Sequence, residues 1–211
     1  MTIHSQHSRE RGFTIIELMI ATLIFSVILT VITMGVMSFT NNYYRGVNNS
    51  TTQNTTRTIL DTISQAIQFG SAPVYLPIPV NNYFCAGGYS FTYDKGVLYT
   101  ETSQMGLYMA PMGALCSATT IPPTGGTQLL GKNLRLTNLE VKSVGVNLYS
   151  VTVSIAMGPY DLLCSPSLYP AGCNGSPTVF WSTANDVTCR STVGSQLCAT
   201  STLTTVVEKR I

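Results

Sequence analysis

Gly12-Phe13-Thr14-Ile15-Ile16-Glu17-Leu18-Met19-Ile20-Ala21-Thr22-Leu23-Ile24-Phe25 is the stretch on which the fold turns. The apolar run it opens continues to Phe39, and Glu17 is its only charged residue. About 20 mainly apolar residues cross a bilayer as a helix, so the run is long enough. It is apolar all round, which suits lipid or the centre of a helical assembly. Arg9 and Arg11 precede it, and the next basic residue is Arg45. The positive-inside rule then places the N-terminus in the cytoplasm and the bulk of the chain outside. An ionised carboxylate in hydrocarbon is costly, so Glu17 predicts a specific partner.

Two plainer readings compete. A cleaved signal peptide has an apolar region of roughly 7–15 residues and an A-x-A-like site after it. Here the run is longer and no such site follows. A plain signal anchor accounts for length and orientation but gives Glu17 no role.

Gly12-Phe13-Thr14-Ile15-Ile16-Glu17-Leu18 resembles the class III signal of type IV pilins and type II secretion pseudopilins. The resemblance implies cleavage between Gly12 and Phe13 by a prepilin peptidase, and N-methylation of the new terminus at Phe13. It also implies an assembly charge pair between the Glu17 carboxylate and the Phe13 amine of a neighbouring subunit. In low dielectric either charge alone is strongly unfavourable, so the pair sets axial register. The implied partners are other pilin subunits through their N-terminal helices, the prepilin peptidase and an inner-membrane assembly platform. The implied location is single-pass in the inner membrane, then an extracytoplasmic filament.

Composition narrows the rest. Of 211 residues only 9% are charged, with a net charge of +2; about a quarter is usual. Beyond Gly12 there are nine Lys/Arg and eight Asp/Glu, a balance of +1. No basic stripe announces phosphate-backbone binding. Both histidines, His4 and His7, lie in the leader. A processed chain therefore lacks the commonest general base and metal ligand, and Ser-His-Asp or Cys-His chemistry is excluded. Asp61, Asp94, Glu101, Glu140, Asp161, Asp186 and Glu208 show no spacing that suggests a catalytic dyad. The expectation is no enzyme, no cofactor and no metal; Asp161 and Asp186 are the best calcium candidates, and two scattered carboxylates are few.

An even number of cysteines in an exported domain reads as disulfides. Six cysteines allow 15 pairings. Cys164–Cys173 and Cys189–Cys198 share C-x8-C spacing around turn formers, so local closure is the simplest choice and leaves Cys85–Cys116. Thiolate zinc sites favour closer pairs.

Residues 40–58 are rich in Thr and Asn, poor helix formers, with Gly46 among them. Ile59, Leu60, Ile63, Ala66, Ile67 and Phe69 then restore helical spacing, and Gly70 is a natural stop. One helix is expected from about Thr14 to Phe69, loosened or kinked near 45–54. Three Asn-x-Ser/Thr matches begin at Asn48, Asn49 and Asn54, as an Asn/Thr-rich stretch gives by chance. From 71 onward the period becomes two. Tyr89, Phe91 and Tyr93 lead through Asp94-Lys95-Gly96 to Val97 and Tyr99, which predicts a hairpin. Leu134 to Val144 and Leu148 to Ile155 predict a second antiparallel pair, and Thr202–Arg210 a short final strand or tail. Loops are expected at 70–82, 105–131 and 158–200.

The fold expectation is α+β: a type IV pilin-like chain, its long hydrophobic α-helix packed on an antiparallel β-sheet domain with disulfide-closed loops. The divisions are a leader (1–12), a membrane or filament-core segment (13–39), an amphipathic continuation (40–70) and an extracytoplasmic β-rich domain (71–211). Residues 57–67 and 204–210 resemble the helix end and C-terminal strand of PilW/PulJ-type minor pilins, though Gln65-Ala66-Ile67 replaces the Arg-Asp-Ile usual there. The leading function is therefore a minor pilin in a tip or priming complex, and the second a minor pseudopilin of a type II secretion system. The third is an adhesive or DNA-uptake pilin. Its candidate ligand surface is Tyr160, Tyr169, Phe180, Trp181 and Arg190 in the 158–200 loops, with glycan or nucleic acid as ligand.

Overall fold

The computed structural model describes residues 13–70, 74, 82–99, 106–112, 116, 125–165, 186–191 and 194–210. These belong to two units, one up to Asn42 and one from Tyr43 onward.

In the first unit every described residue is exposed and, from Ile15, helical. The helix α1 spans Ile15–Phe69, with a mean hydropathy of 2.6 over its most apolar 18 residues. Thr30 and Thr33 donate their hydroxyls to the carbonyls of Ser26 and Leu29, at 2.9 and 2.7 Å. A run this apolar tolerates such side chains because their one donor is satisfied within the helix.

The second unit begins inside α1. Its helical part is unbroken through 45–54, against the expected loosening. Burial explains the difference. Thr52 and Thr56 are fully buried, and they extend upward the face formed by Ile59, Leu60, Ile63 and Ile67. Their hydroxyls return to the carbonyls of Asn48 and Thr52 at 2.8 and 2.7 Å. Asn48 Nδ2 donates to the Gln196 carbonyl at 3.1 Å, tying the helix to a distant loop. Tertiary packing overrides weak propensity here. Phe69 departs from the expected apolar face: its ring is exposed and faces the Arg210 guanidinium at 5.9 Å.

Among the described residues three antiparallel sheets follow. The first, in spatial order, holds β1 (Tyr83–Ala86), β2 (Tyr89–Tyr93), β3 (Leu107–Pro111) and β4 (Thr127–Gln128). The second orders β5 (Leu134–Gly145), β6 (Leu148–Met157) and β9 (Ala199–Glu208). A third pairs β7 (Leu163–Cys164) with β8 (Thr188–Cys189). The main core joins Ile59, Ile63 and Ile67 of α1 to Phe84 and Phe91 of the first sheet and to Leu136, Val151, Val153 and Ile155 of the second. Phe84 and Phe91 are cross-strand partners whose rings stack at 4.7 Å. A smaller core under the third sheet gathers Ala156, Leu162, Leu163, Val187 and Cys198.

The β5–β6 pairing is as the alternation predicts, turning at Val146-Asn147 with Asn147 at φ 57°. The first hairpin is not. β2 pairs with β1 and β3, not with 97–99. Its turn is Gly87-Gly88, both at positive φ, the conformation that two-residue hairpins demand. The chain after Gly96 crosses instead to the second sheet, where Gly96 and Tyr99 donate to the carbonyls of Leu136 and Leu134. β3 lies inside the expected 105–131 loop, because a five-residue strand between two others needs little length. The expected 158–200 loop likewise contains β7, β8 and two 3₁₀ turns, Tyr160–Leu162 and Ser195–Leu197. The final strand is ten residues long and pairs with β6 along its whole length.

Candidate functional site

The helix N-terminus carries the first candidate site. Thr14 stands one residue before α1 and Glu17 lies in its first turn. The Glu17 carboxylate accepts from the Thr14 backbone N–H at 3.0 Å and from the Thr14 hydroxyl at 2.8 Å. The Glu17 N–H donates back to the Thr14 hydroxyl oxygen at 3.3 Å. This is a capping box, which satisfies donors that a helix start otherwise leaves open. Thr14 is the residue the motif reading passed over, although Thr-x-x-Glu before an apolar run is its signal. Phe13 is exposed, immediately before this box. Gly12, the other half of the expected cleavage site, falls outside the described residues.

The carboxylate is thus held at the very start of the helix beside the backbone of residue 14. Around it, Ile15, Ile16, Leu18, Met19 and Ile20 are exposed. A continuous apolar surface of this kind needs lipid or other chains against it. Chemically the arrangement offers a negative charge in an apolar setting, suited to pairing with a cation.

The loop region is the second candidate. Disulfides join Cys85 to Cys116 and Cys189 to Cys198. The Cys164–Cys173 pairing lies outside the described residues, since Cys173 does. So do Tyr169, Phe180 and Trp181. Tyr160 packs its ring under the Arg135 guanidinium at 4.1 Å, and its hydroxyl donates to the Gly96 carbonyl at 3.2 Å. Arg135 itself is 1% exposed. It donates to the carbonyls of Gly96 at 3.3 Å and Gly158 at 2.7 Å, and burial lowers its pKa, opposed by Tyr160. Arg135 therefore joins β5, the turn after β2 and the turn after β6. Nothing in Leu134-Arg135-Leu136 marks it, because alternation alone sends an arginine to the solvent side.

Arg190 follows β8, and its N–H donates to the carbonyl of Leu162, two residues beyond Tyr160. It lines a pocket with Arg45, Asn49, Ser191 and Ser195. Asp161 and Asp186 are both exposed, and no group of three or more His, Cys, Asp or Glu among the described residues is placed to hold a metal ion.

Comparison with known proteins returns one family model, the prokaryotic N-terminal methylation motif, matched by residues 7–33. No curated protein and no solved structure matches the chain. The motif is that of type IV pilins and pseudopilins, so the chain carries the N-terminal signal of a processed pilin-like or pseudopilin-like subunit. It covers the capping box and the charged residue inside it.

Proposed function

We propose that this protein is a minor pilin: a structural subunit cleaved between Gly12 and Phe13, N-methylated at Phe13 and assembled into a type IV pilus through α1. The observation that carries the reading is Glu17, the one charge in the exposed apolar run 13–39 and inside the matched methylation motif. Before assembly the helix anchors the chain in the membrane, residues 13–39 within it and 71–211 on its outer side. During assembly the Glu17 carboxylate meets the Phe13 amine of an adjacent subunit. Thr14 keeps the carboxylate at the helix start, where such an amine arrives. Modest size, low charge and disulfide-bonded loops favour a subunit displayed at few positions over one repeated along the shaft.

Replacing Glu17 with Val tests the assembly role. Leader removal and membrane insertion are expected to continue, while incorporation into filaments drops to background in sheared-pilus blots. Normal incorporation of E17V would refute the pairing. Immunogold labelling tests position: sparse or tip-only gold is expected, and continuous gold along the shaft refutes the minor role.

A further inference from the structure

The pocket that holds Arg190 is a site nothing in the assembly reading uses. It has a volume of about 430 Å³. Ligand pockets run from roughly 300 to 1,000 Å³, so it is of small-molecule size. Among the described residues its polar lining consists of Arg45 and Asn49 from α1 and Arg190, Ser191, Ser195 and Thr200 from the opposite wall, with no carboxylate among them. Arg45 and Asn49 are four apart on a helix and so share a face. Arg45 makes no ion pair among the described residues.

The second wall is pinned at several points. The Cys189–Cys198 disulfide closes it. The Arg190 N–H donates to the Leu162 carbonyl at 2.9 Å, fixing the backbone from which its guanidinium departs. Asn48 Nδ2 holds the Gln196 carbonyl, so the helix and the loop that form the two walls are bonded beside the pocket. Two arginines, an amide and hydroxyls line this half-open pocket on walls held in this way.

We propose that this pocket binds a phosphate group, as the free anion or as a small phosphate ester. Arginine forks suit phosphate oxygens, and charge-assisted bonds to them are the strong ones. Donors on two walls suit four tetrahedral oxygens better than the two coplanar oxygens of a carboxylate. The site does not depend on the assembly reading, because none of its residues lies in the apolar run.

The test is calorimetric titration of the full chain in non-ionic detergent with inorganic phosphate. A dissociation constant on the order of 1 mM is expected, weakening as sodium chloride is raised because partly exposed charges are screened. Arg45→Gln and Arg190→Gln are each expected to weaken binding about tenfold, a change of about 1.4 kcal/mol. Arg57→Gln, on the same helix but lining a neighbouring groove, is expected to leave it unchanged. Unfolding curves without phosphate verify that each variant is folded. Absence of saturable binding up to about 20 mM would overturn the proposal. So would equal weakening by R57Q and R45Q, since that is diffuse attraction of the kind a nucleic-acid backbone exploits. The source of the phosphate is read by repeating the titration in lipid nanodiscs. Loss of phosphate affinity when phosphatidylglycerol is added to phosphatidylcholine assigns the site to a lipid headgroup. Retained affinity assigns it to a free phosphate.

Discussion

Gly87→Ala and Gly88→Ala form a matched pair that tests how α1 docks on the first sheet. Both glycines sit in the β1–β2 turn with positive φ, 62° and 85°. An L-residue forced into that region costs roughly 1–2 kcal/mol. Alanine also stiffens the unfolded chain by about the same amount at either position, so that effect cancels between them. The surroundings differ. A Cβ on Gly88 meets nothing within 4 Å. A Cβ on Gly87 overlaps the carbonyl oxygen of Ala66 and lies 2.9 Å from its carbon and 3.1 Å from its Cα. All three are backbone atoms of α1 and cannot swing aside like a flexible side chain. Overpacking of this kind costs about 1–3 kcal/mol. Gly88→Ala is therefore expected to lose about 1–2 kcal/mol and Gly87→Ala about 2–5 kcal/mol. At about 2–4 °C per kcal/mol for a unit of this size, the difference is roughly 2–12 °C in Tm. Thermal unfolding of the full chain in detergent, followed by near-ultraviolet circular dichroism, reads it. Equal losses in the two variants would refute the claim that glycine at 87 is required by the approach of Ala66.

Three further outcomes are expected. Arg135→Ala removes the guanidinium donors to the Gly96 and Gly158 carbonyls, leaving the Gly96 carbonyl with the Tyr160 hydroxyl; bonds to charged groups are worth about 1.5–3 kcal/mol each. Denaturant midpoints should then show a loss of about 3–6 kcal/mol, with a loss below about 1 kcal/mol counting against the buried clamp. Replacing Cys85 and Cys116 by Ala opens a loop spanning 31 residues, against 9 for Cys189 and Cys198. Chain entropy then predicts losses of about 3.7 and about 2.6 kcal/mol, and a reversed order in urea unfolding would contradict that account. Burial raises the pKa of Tyr93. A pKa higher in the folded than in the unfolded chain gives stability that is intact below the unfolded value, near 10, and is lost as pH rises through the folded value. Tyr93→Phe should lessen the fall in stability above about pH 10, and an unchanged alkaline profile would refute the assignment.

The helix and the second sheet are legible in the sequence because their signals are long. The apolar run to Phe39 is unbroken, and the apolar residues of 134–144 and 148–155 keep the strand signal going over many residues, even across the register shift between Leu136 and Asn138. The first sheet is misread where its signal is short. Tyr89 to Tyr99 alternates well enough to suggest a hairpin, yet the Gly87-Gly88 turn supplies the favoured backbone and the partner strands lie on either side. The Thr-rich stretch at 45–54 misleads because propensity is local, whereas Thr52 and Thr56 are helical through what buries them.

By itself the sequence determined that this chain carries a pilin-like N-terminal signal, since that signal is a contiguous motif whose chemistry lies in its own residues: Phe13, Thr14, Glu17 and the run behind them. The tertiary structure alone decided what sits around Arg45, Arg135 and Arg190. Arg45 and Arg190 are far apart in sequence and line one pocket, while Arg135, on β5, is buried among carbonyls. An arginine's role depends on which acceptors surround it, and those are brought from distant segments only when helix, sheets and disulfide-bonded loops have packed together.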